Sequence, residues 1–195
     1  MDLSALRNQI KSQRLTLSDS EVFALSKQVE SLLFSLDFIR EKSNFFIYNS
    51  IKNEVETSGI ISTLTAQGKT VAFPLISGDN LISAIPKSSE FVLDRFGCKT
   101  PANYTVMERV DVAVIPLLAC DENKNRVGYG KGYYDRFLKD KNCIKIGLAY
   151  DFQVRDNLTP NPWDVPLDII ITPTRIIGEN YENFSNRQQF FARCN

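Results

Sequence analysis

Residues 110–116 read Val-Asp-Val-Ala-Val-Ile-Pro, a short and strongly apolar run that predicts a buried β-strand. Similar short runs rich in β-branched and aromatic side chains lie at residues 44–49, 70–75, 81–85, 144–150 and 168–172. Helical patterns separate several of these runs. Nearly continuous apolar strands that alternate with helices predict a mainly parallel central sheet covered on both faces, a three-layer α/β/α fold.

Four helices are predicted around this sheet. The spacing of apolar side chains predicts the first helix at residues 3–15, with an inward face of Leu3, Leu6, Ile10 and Leu15. Ser18 and Glu21 have the spacing of a capping box and predict the start of the second helix. A third helix is expected from about Glu54 to a stop at Gly68, and a fourth over residues 131–139.

The carboxyl ends of parallel strands are where such sheets bind their ligands. The predicted strand ends are Asn49, Pro74, Pro116, Tyr150 and Thr172. Residues 1–195 show no linker and no repeat, so we expect a single domain. The polar tail at residues 181–195 is either a docked helix or a loosely attached segment.

The composition excludes several classes of function. The 195 residues carry 23 Lys and Arg against 23 Asp and Glu, and zero net charge disfavours nucleic acid as the main partner. No apolar stretch approaches the roughly 20 residues that span a bilayer. We therefore expect a cytoplasmic protein, a monomer or a dimer, that acts on small molecules without a membrane or nucleic-acid partner.

The chain has no histidine, which excludes Ser-His-Asp and Cys-His mechanisms and leaves oxygen or sulfur as metal ligands. The four cysteines form no C-x-x-C pair; they are Cys98, Cys120, Cys143 and Cys194. Scattered cysteines of this kind indicate small core residues in a reducing compartment.

The most unusual segment, residues 126–138, reads Arg-Val-Gly-Tyr-Gly-Lys-Gly-Tyr-Tyr-Asp-Arg-Phe-Leu and holds three of the nine glycines within five residues. Glycines let backbone N–H groups approach an anion closely, and Arg126, Lys131 and Arg136 add three cations. The composition favours a phosphate-binding loop; a glycine-rich surface loop before a helix is the alternative. The spacing matches neither the P-loop nor the dinucleotide-binding fingerprint.

The pattern Arg-x-Gly-x-Gly-Lys-Gly-Tyr-Tyr-Asp-x-x-Leu resembles the signature of the 5-formyltetrahydrofolate cyclo-ligase family, also called methenyltetrahydrofolate synthetase. Weaker matches flank it in the family's order, at residues 6–7, 17–21, 53–57, 68–74, 111–121, 146–153 and 164–168. Only the tail lies outside the resemblance.

The resemblance implies an ATP- and magnesium-dependent ring closure. 5-Formyltetrahydrofolate would become 5,10-methenyltetrahydrofolate, with ADP and phosphate as the other products. Transfer of the γ-phosphoryl group to the formyl oxygen would create a leaving group, and N10 would then attack the formyl carbon. Positioning and charge neutralisation dominate phosphoryl transfer, so the absence of histidine fits this chemistry.

The resemblance also implies roles for particular residues. ATP binding would fall to Arg7, Arg126, Gly128, Tyr129, Gly130, Lys131, Gly132, Tyr133 and Tyr134. Catalytic roles would fall to Lys131, Arg126 and Tyr133. The folate would contact Tyr48, Glu54, Phe96 and Tyr133. The magnesium ligands would be Asp135 and Asp164.

Each assignment has a structural alternative. Arg7 would otherwise be a solvated helix residue, and Glu54 would favour the start of its helix through the dipole. Asp135 would pair with Arg136 or Lys131 or support the loop, and Asp164 would be a turn residue before Pro166. The remaining aromatic candidates would be core residues, namely Tyr48, Phe96 and Tyr134.

The chain departs from the family pattern at four places. Leu3 and Leu75 stand where basic residues are common, Thr100-Pro101 replaces Glu-Pro, and Trp163 replaces a frequent histidine. Two other functions therefore stay open. One is a non-catalytic nucleotide- or phosphate-binding regulatory module. The other is a sugar-phosphate isomerase or CoA transferase on a similar fold.

Overall fold

The centre of the fold is an eight-stranded sheet, seen in a computed structural model that describes residues 2–178. The helices are α1 Leu3–Leu15, α2 Asp19–Phe34, α3 Asp37–Glu41, α4 Ser58–Ala66 and α5 Tyr133–Leu138. The strands are β1 Asn44–Ile47, β2 Thr70–Ser77, β3 Asn80–Pro86, β4 Phe91–Leu93, β5 Lys99–Pro101, β6 Tyr104–Val106, β7 Val112–Pro116, β8 Ala119–Asp121, β9 Arg126–Val127, β10 Ile144–Leu148, β11 Val154–Arg155, β12 Ile169–Ile171 and β13 Ile176–Ile177.

The strand order of the large sheet is β13-β12-β10-β7-β1-β2-β3-β6. The five strands from β12 to β2 are mutually parallel, and β1 pairs with β7 in the register Phe45↔Val112. The edge strands β13, β3 and β6 run antiparallel to their neighbours. The predicted mainly parallel sheet is therefore confirmed, with antiparallel additions at both edges.

Alternation along β1 sends side chains to two separate cores. Phe45 and Ile47 pack with α2, α3 and α4 on one face. Phe46 points to the opposite face, where its ring stacks on Phe137 of α5 at 4.4 Å between centroids. Helices on both faces confirm the three-layer α/β/α arrangement.

The first helix differs from its predicted orientation. Leu6 and Ile10 pack against β8 and β9 as expected. Leu15 is 63% exposed, so the prediction that it faces inward is wrong, whereas Arg14 is 1% exposed. Arg14 lies four residues after Ile10, and this spacing places the two side chains on the same face of the helix. The buried face of α1 therefore runs from Ile10 to Arg14 and leaves Leu15 outside it.

The third predicted helix starts later than expected. It begins at Ser58, not near Glu54, and it ends at Ala66, just before Gly68 with its φ of 73°. Lys52 and Asn53 both adopt left-handed backbone conformations, with φ of 50° and 56°, which prevents a helix from starting there. The predicted capping box of α2 at Ser18 and Glu21 is confirmed.

Within residues 2–178, no helix combines the length and the apolar character needed to cross a lipid bilayer. The predicted core cysteines Cys120 and Cys143 are buried, and Cys98 is half-buried. The tail at residues 181–195, with Cys194, lies outside the described residues.

Candidate active site

The glycine loop, residues 128–132, connects β9 to α5. The sequence suggested that the preceding strand ends near Pro116, but the β8–β9 hairpin intervenes. Gly130 and Gly132 have φ of 89° and 67°, conformations that favour glycine. None of the backbone N–H groups of residues 128–132 donates a hydrogen bond to another described residue. Successive N–H groups of this kind are the donors that anion-binding loops use.

The loop opens into a cavity of about 520 Å³. Every site residue that the resemblance implied lines this cavity: Arg7, Tyr48, Glu54, Phe96, Arg126, Gly128, Tyr129, Gly130, Lys131, Gly132, Tyr133, Tyr134, Asp135 and Asp164. Of the predicted strand ends, Asn49, Pro74 and Pro116 also line it, whereas Tyr150 and Thr172 do not. The cavity therefore lies at the carboxyl edge of only part of the sheet, on the side of β7, β1 and β2.

Arg7 holds the glycine loop from the side of α1. Its Nε donates a hydrogen bond of 2.9 Å to the carbonyl of Gly128. A Cβ atom at Gly130 would lie 3.3 Å from the Arg7 guanidinium carbon, so a side chain there would press on the arginine. Arg7 therefore contacts the glycine loop and lines the cavity, and it is not merely a solvated helix residue.

Arg14, Glu54 and Tyr129 form a buried polar network behind the loop. Arg14 Nη1 lies 3.4 Å from Glu54 Oε1, and Arg14 Nη2 donates to the Tyr129 hydroxyl at 2.8 Å. That hydroxyl donates in turn to Glu54 Oε1. Burial raises the pKa of Glu54 even though Arg14 and Tyr129 oppose the shift. The network ties α1, the loop after β1 and the glycine loop to one another.

The turn before Glu54 fixes the position of its carboxylate. The backbone N–H of Ile51 donates to Glu54 Oε2 at 3.1 Å. Asn53 Nδ2 donates to the carbonyls of Arg14 and Leu17, at 3.2 and 2.9 Å, at the end of α1. Two non-glycine residues in left-handed conformations cost about 1–2 kcal/mol each, and these contacts offset that cost. Glu54 is therefore held in a loop, and the alternative of a helix-start residue is wrong.

The four aromatic candidates differ in environment. The Tyr48 hydroxyl donates to the Val55 carbonyl at 2.9 Å, and Tyr134 packs with its ring centroid 6.2 Å from that of Phe46. Both are core side chains that also reach the cavity wall. Phe96 is exposed, and its ring meets Tyr133 edge-on at 6.4 Å. Phe96 therefore offers an open apolar surface, whereas Tyr133 also packs against the core cluster that contains Phe46 and Phe137.

The two predicted magnesium ligands are held by neighbours. Asp135 Oδ1 pairs with Arg126 Nη2 at 2.6 Å and accepts the backbone N–H of Val165. Its ion-pair partner is Arg126, so the pairing suggested with Arg136 or Lys131 is wrong. Asp164 Oδ2 accepts two hydrogen bonds from Asn161, as a turn residue would.

One oxygen of each carboxylate remains available to a ligand, since these bonds use only Oδ1 of Asp135 and Oδ2 of Asp164. Within residues 2–178, no three acidic or cysteine side chains come together as a complete metal site. Two carboxylates that line the same cavity still fit magnesium, which usually takes one or two carboxylates together with phosphate oxygens.

The three cations of the glycine segment separate in space. Arg136 donates to the carbonyl of Asp79 at 2.7 Å and to that of Lys131 at 3.1 Å, and it does not line the cavity. Arg126 is neutralised by Asp135. Within the described part of the chain, the Lys131 side chain is exposed and makes no ion pair. Of these three cations, Lys131 is therefore the one that both lines the cavity and is without an ion-pair partner among the described residues.

Sequence reasoning missed three lining or supporting residues. Arg14 was detectable in principle, because it lies two helical turns after Arg7 on the same face. Arg95 donates to the Tyr133 hydroxyl and has its guanidinium 5.1 Å from the Phe96 ring centre. Cys98 also lines the cavity, but burial raises the pKa of its thiol to about 11, so it stays protonated and is a poor nucleophile.

The departures from the family pattern fall into two groups. Leu3 and Trp163 line the cavity. Leu75, Thr100 and Pro101 do not, so those changes leave the described lining unaltered.

Together these features define an α/β protein with a glycine-rich loop that lines a cavity at the carboxyl edge of a parallel sheet. The model of the 5-formyltetrahydrofolate cyclo-ligase family matches residues 2–173. The chain belongs to this family and is an enzyme of the ligase class.

Relatives and solved structures agree with this membership. The 5-formyltetrahydrofolate cyclo-ligase of Mycoplasma genitalium is 33% identical over 88% of this chain and 98% of its own length. The NMR structure of Aquifex aeolicus 5,10-methenyltetrahydrofolate synthetase superposes with a TM-score of 0.81 at 31% identity, covering 90% of this chain and 92% of that one. The synthetase from Mycoplasma pneumoniae gives 0.72 at 31% identity, with 89% and 99% covered.

Proposed function

We propose that the enzyme converts 5-formyltetrahydrofolate and ATP into 5,10-methenyltetrahydrofolate, ADP and phosphate, in a reaction that depends on magnesium. The observation that carries the proposal is the glycine loop. Its five backbone donors and the Lys131 side chain have no partner among residues 2–178, and they line the same cavity as Glu54 and Phe96. A triphosphate and a flat heterocycle would therefore meet in one cavity.

The reaction has two bond-making steps. The formyl oxygen attacks the γ-phosphorus of ATP, a new O–P bond forms, and ADP leaves with the electrons of the broken bond. N10 of the folate then attacks the formyl carbon and loses its proton. The C–O bond breaks, phosphate departs, and the methenyl cation remains. Holding the two substrates in line supplies much of the acceleration of such reactions.

Lys131, Arg7 and Arg126 have different roles in this proposal. Lys131 is exposed and unpaired within the described residues, so it neutralises charge that develops on the transferred group. Arg7 keeps the loop in shape through the Gly128 carbonyl while its guanidinium faces the cavity. Arg126 shares its charge with Asp135 and mainly orients that carboxylate.

Glu54, Phe96 and Tyr133 form the wall that suits the reduced pterin. Phe96 and Tyr133 offer apolar ring surface, and Arg95 holds the Tyr133 hydroxyl. The Glu54 carboxylate is a strong acceptor for the amino and ring N–H groups of a pterin. The Tyr129 hydroxyl already donates to Glu54 Oε1. Pterin N–H groups would share this oxygen with Tyr129 or displace it, and folate binding would thereby be coupled to the glycine loop that carries Tyr129.

Asp135 and Asp164 would hold the magnesium ion through their available carboxylate oxygens. Magnesium, when bound, neutralises phosphate charge and orients the terminal phosphates. We further propose that one domain spanning residues 1–195 carries the whole site, and that it acts in the cytoplasm on small molecules alone.

The test is an absorbance assay of the purified full-length chain with 5-formyltetrahydrofolate, ATP and magnesium. The methenyl chromophore should appear in proportion to enzyme, and ADP should form in equal amount. Omission of ATP or of magnesium should abolish the signal. A folded protein that gives no chromophore at high concentration would refute the proposal and would favour the regulatory module instead.

A further inference from the structure

The hydroxyl of Tyr129 contacts the Glu54 carboxylate, although the backbone of Tyr129 belongs to the glycine loop. It donates a hydrogen bond to Glu54 Oε1 and accepts one from Arg14 Nη2 at 2.8 Å. The resemblance to the cyclo-ligase family placed Tyr129 among the ATP-binding residues, at a position that the signature leaves open. Its side chain instead contacts the carboxylate that we propose for the pterin.

Helix α1 holds Tyr129 in place. Arg7 Nε donates to the carbonyl of the preceding residue, Gly128, at 2.9 Å. The Arg14 guanidinium carbon lies 6.0 Å from the centre of the Tyr129 ring, and Lys11 Nζ lies 5.6 Å from it. The phenol ring is therefore fixed by three side chains of one helix, and its hydroxyl is directed at the buried carboxylate.

The Glu54 carboxylate has room for a ligand beside these contacts. A carboxylate has about four acceptor positions. Oε1 accepts hydrogen bonds from Tyr129 and Arg14, and Oε2 accepts the backbone N–H of Ile51. One position on Oε2 thus has no donor among residues 2–178, and the Arg14 contact is long at 3.4 Å. A pterin can therefore pair with the carboxylate while the Tyr129 hydrogen bond persists.

The charge of Glu54 decides whether it can accept two N–H groups, because a protonated carboxyl group uses one oxygen as a donor. Burial raises the pKa of Glu54, and Arg14 and the Tyr129 hydrogen bond oppose that rise. Four other titratable groups interact with this charge among the described residues. They are Tyr48 after β1, Tyr134 on α5, Tyr150 after β10 and Cys98 before β5. Burial raises the pKa of each of the four, so they are neutral at neutral pH.

We propose that Tyr129 is a positioning residue for the folate, whose hydroxyl orients the Glu54 carboxylate to accept the pterin N–H groups. The inference rests on the proposed function, because it takes the pterin to bind Glu54. Tyr129 does not touch the reacting atoms and acts only through Glu54. The substitution Tyr129→Phe isolates this role, since it keeps the ring beside Arg14 and Lys11 and removes only the hydroxyl.

The first test is calorimetric binding of 5-formyltetrahydrofolate in the presence of MgADP, which prevents turnover. Tyr129→Phe should raise the Kd for the folate about tenfold at neutral pH, because a hydrogen bond to a charged group is lost. The Kd for MgADP without folate should change less. Tyr104→Phe is the control and should match wild type, since Tyr104 is exposed on β6 outside the cavity lining. A larger loss of MgADP affinity than of folate affinity would assign Tyr129 to the nucleotide and overturn the inference.

The second test measures the same folate affinity across pH. Glu54 is ionised above its pKa, so wild type should bind the folate more weakly as the pH falls through that value. In Tyr129→Phe the weakening should begin about one pH unit higher, because loss of the hydrogen bond raises the pKa of Glu54 further. Protonation of the folate itself is common to all variants and does not contribute to this difference.

Glu54→Gln completes the test, because its side chain does not titrate. Its folate affinity should lack the acid weakening, and Tyr129→Phe added to Glu54→Gln should weaken binding much less than it does in wild type. A merely structural role of Tyr129 would lower the affinity by the same factor in both backgrounds and would leave the pH profile in place. That result would overturn the inference.

The outcomes separate this inference from the proposed function. If wild type forms the methenyl product and Tyr129→Phe binds the folate like wild type at every pH, only the role of Tyr129 is wrong. If wild type gives no product but binds the folate, and Tyr129→Phe shifts the pH profile as expected, the proposed reaction is wrong and the role of Tyr129 stands. If wild type does not bind 5-formyltetrahydrofolate, both are wrong.

Discussion

The two edges of the parallel sheet each bury a carboxylate, and the two carboxylates have opposite pKa shifts. Asp111 lies at the amino-terminal edge, directly before β7. It accepts the backbone N–H groups of Ser43 and Asn44 and the Arg109 side chain. Burial by itself would raise its pKa, but these donors outweigh burial and lower the pKa below its ordinary value.

Glu54 lies at the opposite edge, beyond the end of β1. It also accepts hydrogen bonds, from Tyr129, Arg14 and Ile51, yet burial dominates and raises its pKa. At the amino-terminal edge, the donors to Asp111 more than compensate for the cost of burying its charge. At the cavity edge, the donors to Glu54 compensate for that cost only in part. A buried carboxylate that is under-stabilised can still gain from a ligand that brings N–H donors.

Arg14→Met should have the largest effect on the free energy of unfolding, because it removes the buried ion-pair partner of Glu54 at the cavity edge. Removing one partner of a buried ion pair leaves the other charge uncompensated and costs about 3 kcal/mol. We expect urea unfolding to show that loss, and the KM for the folate to rise. Arg40→Met is the matched control, since Arg40 pairs only at the surface with Asp37. Unchanged stability in Arg14→Met would show that Glu54 does not need Arg14.

Asp111→Ala should lower the free energy of unfolding without changing catalysis. This result would show that the amino-terminal edge of the sheet serves stability and not activity. The backbone N–H groups of Ser43 and Asn44 would lose their acceptor, at a cost of about 2 kcal/mol in the free energy of unfolding. The kcat/KM of the folded enzyme should stay unchanged. Asp140→Ala, at an exposed position, is the control. A fall in kcat/KM at constant stability would contradict the division between the edges.

The sequence predicted most of the elements that have a periodic apolar pattern, together with the glycine-rich segment, whose composition is unusual. The main parallel strands are nearly continuous apolar runs, and the loop at residues 128–132 has an unusual, glycine-rich composition. Features set by contacts distant in sequence were missed. The Arg126–Asp135 pair and the burial of Arg14 depend on where other elements lie, and periodicity treats a charged residue as exposed.

Short strands were also missed for a physical reason. The strands β8, β9 and β11 contain only two or three residues each, too few to show an alternating pattern. The late start of α4 arises from the left-handed Lys52 and Asn53. Asparagine is enriched in this conformation but lysine is not, so the sequence gives no signal for two such residues in succession. The sequence therefore located the cavity but not the network behind it.

Lys131→Ala should affect catalysis alone, which makes it the counterpart of Asp111→Ala. The side chain is exposed, so we expect no change in the free energy of unfolding. Loss of a cation beside the transferred phosphoryl group should lower kcat/KM at least about tenfold, equivalent to roughly 1.4 kcal/mol. Lys139→Ala controls for the loss of an exposed lysine next to the same helix. An unchanged kcat/KM would show that Lys131 does not contact phosphate.

The smallest expected effect is a difference in pH dependence between Asp111→Asn and Glu54→Gln. Asp111 has a lowered pKa, so its contribution to stability is present above its ordinary value of about 3.9 and is lost as the pH falls through the folded-state pKa. The advantage of wild type over Asp111→Asn should therefore shrink in acid. Glu54 has a raised pKa, so its contribution is present below about 4.3 and is lost as the pH rises through the folded-state pKa.

Glu54→Gln should accordingly gain stability relative to wild type as the pH rises above that value. Urea midpoints measured across pH for wild type and both variants test the two signs together, because each variant serves as the other's control. If both differences varied with pH in the same direction, the two carboxylates would be held alike. The Glu54 carboxylate would then be as fully stabilised by its donors as Asp111, and the reason for expecting it to accept hydrogen bonds from a ligand would be removed.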